Sequence, residues 1–331
     1  MSVLVAEKLA KAFGAVAAVA DVSLSLEAGE TTCLLGPSGS GKSTVLRMLA
    51  GLERPDGGEI RLGGRPVFAR GVDVPPEHRG IGVVFQDHAL FPHLSVACNI
   101  AFGLGGLARS ARDRRVAELL EAFGLAERAD RFPATLSGGE AQRVAVARAL
   151  APRPAVVLMD EPFAALDEGL RRGVQRDVLD RLRAEGAAVL IVSHHAGDAM
   201  RFADTLVLMA GGRVLQAGAP ADCYANPRSF LAASLLGPVN RAPRRLVDPG
   251  APDGTGDVLF RPEDVTVGSG PVAADVRASR LVAGRWETEL RLGPDHLVTA
   301  VGSAPVPSGS TAMAVTRFSG AAPPRPLRPS Q

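Results

Sequence analysis

The segment Gly36-Pro37-Ser38-Gly39-Ser40-Gly41-Lys42-Ser43-Thr44 follows directly on the apolar run Thr31–Leu35. It leads into residues whose apolar members Val45, Leu46, Leu49 and Ala50 recur with helical spacing. The pattern G-x4-G-K-[ST] between a strand and a helix is the context in which such a loop binds phosphate. Glycines let the backbone curl until its N–H groups converge on an anion, and the helix N-terminus adds the positive end of its dipole. Lys42 supplies a mobile cation for the β- and γ-phosphates, and Ser43 offers a hydroxyl to Mg²⁺. A chance glycine loop carries no such flanks. The segment therefore reads as a phosphate-binding loop.

The rest of the chain agrees with that rhythm. Up to about residue 235, β-branched runs alternate with helical patterns, as in a largely parallel sheet. Val22–Leu26, Ala155–Met159, Ala187–Val192 and Thr205–Met209 read as strands. Between Gln86 and Leu136 the texture turns helical, with Val116, Leu119, Leu120 and Phe123 at i, i+3, i+4 and i+7. We assign 1–235 to the nucleotide-binding domain, with a helical subdomain over about 87–140. Residues 236–256, rich in Pro, Gly and Arg, read as a linker. Short alternating runs over 257–318 read as a small C-terminal β-barrel of OB-like type, and 319–331 as a disordered tail. In Arg285–Leu292 charged residues occupy every odd position, while Trp286, Leu290 and Leu292 share the other face, as in a half-buried antiparallel strand.

A second element of chemistry sits at Ala155-Val156-Val157-Leu158-Met159-Asp160-Glu161-Pro162, a buried strand ending in two acids. Alone, such a pair serves equally well to solvate an ordinary loop. Beside a phosphate loop in a doubly wound sheet, Asp160 would hold Mg²⁺ and Glu161 would orient the attacking water. The two segments together resemble the P-loop NTPases and imply their α/β fold.

The sharper signal is Leu136-Ser137-Gly138-Gly139-Glu140, followed by Ala141-Gln142-Arg143-Val144-Ala145-Val146-Ala147-Arg148-Ala149-Leu150. Ser137, Gly138 and Gly139 would present hydroxyl and backbone donors at a helix N-terminus, a second anion site. This segment resembles the LSGGQ signature of ABC ATPases, with Glu140 in place of the commonest glutamine. The resemblance implies that the loop closes over ATP held by a second copy of the chain. It further implies that Gln86 is the Q-loop glutamine that reaches metal and water, that His194 is the switch histidine at the γ-phosphate, and that Asp167 belongs to the D-loop. Phe13 falls where the family places an aromatic against adenine; core packing is the alternative for that ring. The chain departs from the family at His195, where aspartate is usual, and at Ala164, where serine is usual.

Composition narrows the class. The charge is balanced, 37 basic against 35 acidic residues for a net +2, so no global field draws in nucleic acid. Cys33, Cys98 and Cys223 are scattered without metal or disulfide spacing. No apolar run reaches the roughly 20 residues of a membrane-spanning helix, and the amino terminus does not read as a signal peptide. Together with the resemblance, these features imply the ATP-hydrolysing subunit of a binding-protein-dependent ABC importer, with ATP and Mg²⁺ as cofactors. Its expected partners are a second copy of itself, transmembrane permease subunits and, indirectly, an extracytoplasmic solute-binding protein. It would sit as a peripheral subunit on the cytoplasmic face of the inner membrane. The segments Asp87–Val96 and Asp160–Arg172 resemble the ferric-iron and polyamine/sulfate importer group, and within it Pro66-Val67-Phe68 and Phe260-Arg261-Pro262-Glu263 look most like ferric-iron importer ATPases. Polyamine, sulfate or another small solute is the alternative cargo. A soluble, non-transport ABC ATPase is the alternative of another class, and a non-hydrolysing ATP sensor is disfavoured by Glu161 and His194.

Overall fold

The computed structural model describes residues 2–164, 166, 168–252 and 256–318. It divides into two compact units, 1–220 and 221–331.

The first unit opens with two long antiparallel strands, β1 Ser2–Phe13 and β2 Val16–Glu27, then enters β3 Thr31–Leu35 and helix α1 Lys42–Ala50. Strands β4 Gly57–Leu62, β5 Arg65–Ala69 and β6 Val72–Asp73 extend the antiparallel sheet to the order β2-β1-β4-β5-β6. Next come β7 Ile81–Val84 and the helices α2 Val96–Ala101, α3 Arg109–Ala122 and α4 Gly138–Leu150. The unit finishes with β8 Val156–Asp160, α5 Glu168–Ala184, β9 Ala188–Ser193, α6 Ala196–Phe202, β10 Thr205–Ala210 and β11 Arg213–Gly218. A second sheet runs β11-β10-β3-β9-β8-β7, parallel throughout except for β11.

Why β8 and β9 are apolar end to end is visible in their packing. Val156, Leu158, Ala188, Leu190 and Val192 face a core shared with α1 and the antiparallel sheet. Val157, Met159, Val189 and Ile191 face the opposite core, built with α2–α5. A strand covered on both sides has no polar face to spare. The amphipathic stripe expected around residues 116–123 is α3, with Val116, Leu119 and Leu120 buried and Phe123 just beyond its end.

Because β3, β9, β8 and β7 are neighbours and parallel, their C-terminal ends share one edge. Leu35 pairs with Ser193, Asp160 with Val192, and Val84 with Met159. That edge receives the glycine-rich loop, His194, the Asp160–Glu161 pair and Gln86 in lateral order, the position where doubly wound sheets bind ligands.

The second unit begins within α7 Pro220–Ala225 and continues through α8 Phe230–Leu235, β12 Asn240–Pro243, α9 Arg244–Val247 and β13 Asp257–Phe260. It then becomes antiparallel β, with β14 Val265–Val282, β15 Arg285–Leu292, β16 His296–Gly302 and β17 Gly309–Val315 in the order β16-β15-β14-β17. Two expectations change here. The segment 236–256 contains ordered elements rather than a plain linker: β12 pairs with β13, and the Asn240 carboxamide exchanges hydrogen bonds with the Thr299 backbone at 2.7 and 2.8 Å. Among the alternating runs expected to be short, Val265–Val282 is one long strand, β14, that carries a bulge. At Gly270, with φ of 135°, a Cβ would meet the Met313 carbonyl oxygen at 2.3 Å. The tail 319–331 lies outside the described residues.

Candidate active site

The glycine-rich loop is shaped by close backbone approaches. At Gly36 a Cβ would stand 2.0 Å from the Met209 carbonyl oxygen, and at Gly41, with φ of 94°, 2.2 Å from that of Ala18. Any side chain at either position would push the loop off the sheet. Gly41 also caps α1 without a side-chain hydrogen bond, and no acidic residue occupies the first turn of that helix. Its N-terminal dipole is thus uncompensated, as an anion site requires. Pro37, Ser38 and Gly39 are exposed along the loop while Gly36, Ser40 and Lys42 are buried, and Thr44 lies half-buried in the first turn of α1.

Lys42 donates to the carbonyls of Gly36 and Pro37 at 2.8 and 2.9 Å, and burial pushes its ammonium below the ordinary lysine range. The Ser43 hydroxyl lies 3.0 Å from Asp160 Oδ1, and burial pushes the Asp160 carboxyl upward. A hydroxyl beside a carboxylate is an oxygen-only donor set suited to a hard divalent cation. Among the described residues no group of three or more His, Cys, Asp or Glu side chains forms a metal cage. A Mg²⁺ ion is held in just this way, by one or two protein oxygens together with substrate phosphates.

At the end of β8 the backbone turns sharply: Glu161 adopts φ of 46° and its N–H bonds the Val192 carbonyl. Such a conformation costs about 1–3 kcal/mol in a non-glycine residue and persists where neighbours enforce it. Its effect is to aim the Glu161 carboxylate at His194, whose Nδ1 lies 2.9 Å from Oε1. The His195 ring packs at 4.0 Å from that of His194. Gln86 is exposed just past β7.

Phe13 is 49% exposed at the β1–β2 turn, so its ring is not a core residue. Lys11 Nζ lies 5.3 Å from the ring centroid, and its ammonium is paired with Glu53 and Asp56. The hairpin that carries Phe13 includes Ala18, whose carbonyl abuts Gly41.

Ser137 caps α4. Its hydroxyl accepts from the Glu140 N–H at 3.3 Å, while Glu140 Oε2 accepts from the Ser137 N–H at 2.8 Å, a capping box. Gly138 and Gly139 form the first turn of the helix. Asp167 lies outside the described residues, and Ala164 is half-buried. Two contacts carry no sequence signal. Arg128 Nε reaches Glu140 Oε1 at 2.9 Å, and Arg148 donates to the His88 and Ala89 carbonyls at 3.1 and 2.7 Å. The partners lie 12 to 60 residues away along the chain, beyond any local spacing rule.

Set beside known proteins, residues 19–164 match the family model described as ABC transporter. The chain is 45% identical to the "Fe(3+) ions import ATP-binding protein FbpC" of Pseudomonas fluorescens, over 85% of this chain and 79% of that one. It is 43% identical to the "Sulfate/thiosulfate import ATP-binding protein CysA" of Synechococcus elongatus, over 88% of this chain and 87% of that one. Among solved structures it resembles CbiO1 of Clostridium perfringens, described as part of the ABC transporter complex CbiONQ. That match has a TM-score of 0.62 and 28% identity, covering 68% of this chain and 91% of the other.

Proposed function

Because this chain belongs to the ABC transporter ATPase family, an ATP hydrolase that powers transport, we propose that two copies of it drive solute import through membrane permease subunits, with ferric iron as the cargo. The observation that carries the hydrolytic reading is the Glu161–His194 pair at 2.9 Å, on the same sheet edge as Ser43 and Asp160.

In this reading the loop N–H groups from Gly36 to Thr44 cradle the phosphates, and Lys42 exchanges its loop carbonyls for phosphate oxygens. Phe13 offers its exposed face to the adenine. Ser43, Asp160 and Gln86 would hold Mg²⁺, whose charge would offset that of the phosphates. Glu161 orients and polarises the water, and His194, fixed by that carboxylate, faces the γ-phosphate. Ser137, Gly138, Gly139 and Glu140 meet the nucleotide held by the second copy, with Asp167 beside the shared interface. Closure of the two copies draws together the permease elements seated on their helical subdomains at the cytoplasmic membrane face, and hydrolysis reopens them. A solute-binding protein outside the membrane delivers the cargo.

Sulfate is the second reading for the cargo, favoured by the longer share of both chains covered in the sulfate relative. Glu161→Gln should leave ATP binding intact, lower turnover by at least a hundredfold and trap an ATP-bound dimer on size exclusion; retained full turnover would sink the Glu161 assignment. Uptake by the reconstituted complex, with ferric iron and sulfate offered in parallel, decides the cargo.

A further inference from the structure

Two helices in this chain point their N-termini at phosphate in the reading above, and they differ in one respect. The first turn of α1 carries no acid, whereas that of α4 carries Glu140. A helix N-terminus is worth roughly half a positive charge. A full carboxylate within its first turn more than cancels that, so an unmodified Glu140 would make the Ser137 loop repel the anion it is to receive.

The structure holds the compensation. Glu140 Oε2 accepts from the Ser137 N–H at 2.8 Å and from the Ser137 hydroxyl at 3.0 Å, while Oε1 takes the Arg128 guanidinium at 2.9 Å. The Ser137 N–H, and after it Arg128, hold the Glu140 carboxyl down at about 2, so it is charged at any working pH. Both carboxylate oxygens are committed, and the Glu140 side chain is only 19% exposed. Arg128 stands at the end of a short turn, Ala126–Arg128, rooted by the buried Leu125.

We propose that Arg128 is a positioning residue for the signature loop: by pairing with Glu140 it offsets the carboxylate's charge, restores the net positive N-terminus of α4 and holds the carboxylate in its capping position beside Ser137. This rests on the reading that the Ser137 loop meets ATP of a second copy. It assigns the chain's departure from glutamine at this position to a compensated pair, in which glutamate is tolerated because an arginine stands 12 residues earlier.

The test is a double-mutant cycle on ATP-driven dimerisation, measured by analytical ultracentrifugation in the Glu161→Gln background. Fluorescent-ATP binding to the monomer and thermal melting are followed alongside. Arg128→Ala should weaken dimerisation about tenfold in the presence of Glu140 and less than twofold when Glu140→Gln is also present, while Arg128→Ala alone leaves monomer ATP binding unchanged. The defect with Glu140 present should shrink as ionic strength rises from 50 to about 500 mM. An equal loss in both Glu140 backgrounds, or no loss in either, overturns the proposal and leaves Arg128 as a structural contact only. If the Glu161→Gln parent fails to dimerise with ATP while still binding it, the two-copy reading itself falls, and the proposal with it.

Discussion

Lysine occurs only at Lys8, Lys11 and Lys42, so nearly every cation in this chain is a guanidinium, and several are spent on carbonyls rather than carboxylates. Arg79 is the clearest case. With its side chain 1% exposed, it donates to the Met48 and Leu49 carbonyls at the end of α1 and to the Val74 carbonyl, with Asp73 at 3.5 Å. A helix C-terminus leaves orphan carbonyls with a partial negative charge, and a planar fork of donors satisfies several at once. A lysine could not span them. Met48 keeps the Gly51 N–H, but Arg79→Met should take the donor from the Leu49 and Val74 carbonyls and lower unfolding stability by about 2–3 kcal/mol in urea titration, because each unmet buried group costs roughly 1–3 kcal/mol. A loss below about 1 kcal/mol would mean that water or a neighbour replaces the fork. Since α1 begins with Lys42 and Ser43, its anchoring at the far end also fixes the phosphate-binding turn.

The element that unites the site is α4. Ser137 begins it, and in its last turn Arg148 reaches the backbone just past Gln86. There His88 and Ala89 take φ of 61° and 44° in succession, a conformation costing about 1–3 kcal/mol per residue. The guanidinium holds both carbonyls and lies 5.3 Å from the Phe91 ring centroid, supporting the strained turn together with the His88 N–H bond to the Phe85 carbonyl. Arg148→Ala should free the Gln86 segment. We expect turnover to fall about tenfold while the ATP dissociation constant shifts less than twofold; unchanged turnover would detach Arg148 from the site. The Arg148 contacts were not visible in the sequence. The phosphate loop, the Asp160–Glu161 strand end and the Ser137 loop are local patterns, each readable because its chemistry and its backbone constraint sit within one short segment. The β8 and β9 strands were legible for the same reason, being bounded apolar runs. By contrast, the Arg148 and Arg128 contacts are set by tertiary placement. The long strand β14 was not legible as one element because its glycines at 268 and 270 mark turns and bulges alike. Residues 236–256 read as a linker because composition does not reveal that Asn240 would find the Thr299 backbone.

At the scale of the whole chain, each unit has its own core. Phe260, Leu290, Leu292, Val298 and Met313 cluster in the second, separately from the two cores flanking the parallel sheet of the first. Within the second unit Arg261 takes the part that Arg79 takes in the first. It is 2% exposed, donates to the Ala233 carbonyl in the last turn of α8, to the Gly237 and Pro238 carbonyls just after it and to that of Tyr224, and lies 4.0 Å from the Tyr224 ring centroid. Arg261→Met removes that hub at a cost of about 3 kcal/mol, which for a unit of this size lowers its melting temperature by about 10 °C or more. ATP with Mg²⁺, by contrast, binds only residues of the first unit in the reading above. At a hundredfold excess over its dissociation constant it adds about 2.7 kcal/mol there. Calorimetry of the full-length chain should therefore resolve two transitions: one moved up by ATP and untouched by Arg261→Met, the other moved down by Arg261→Met and indifferent to ATP. A single transition that responds to both would show that the units unfold as one, and that nucleotide binding is felt in the C-terminal β unit.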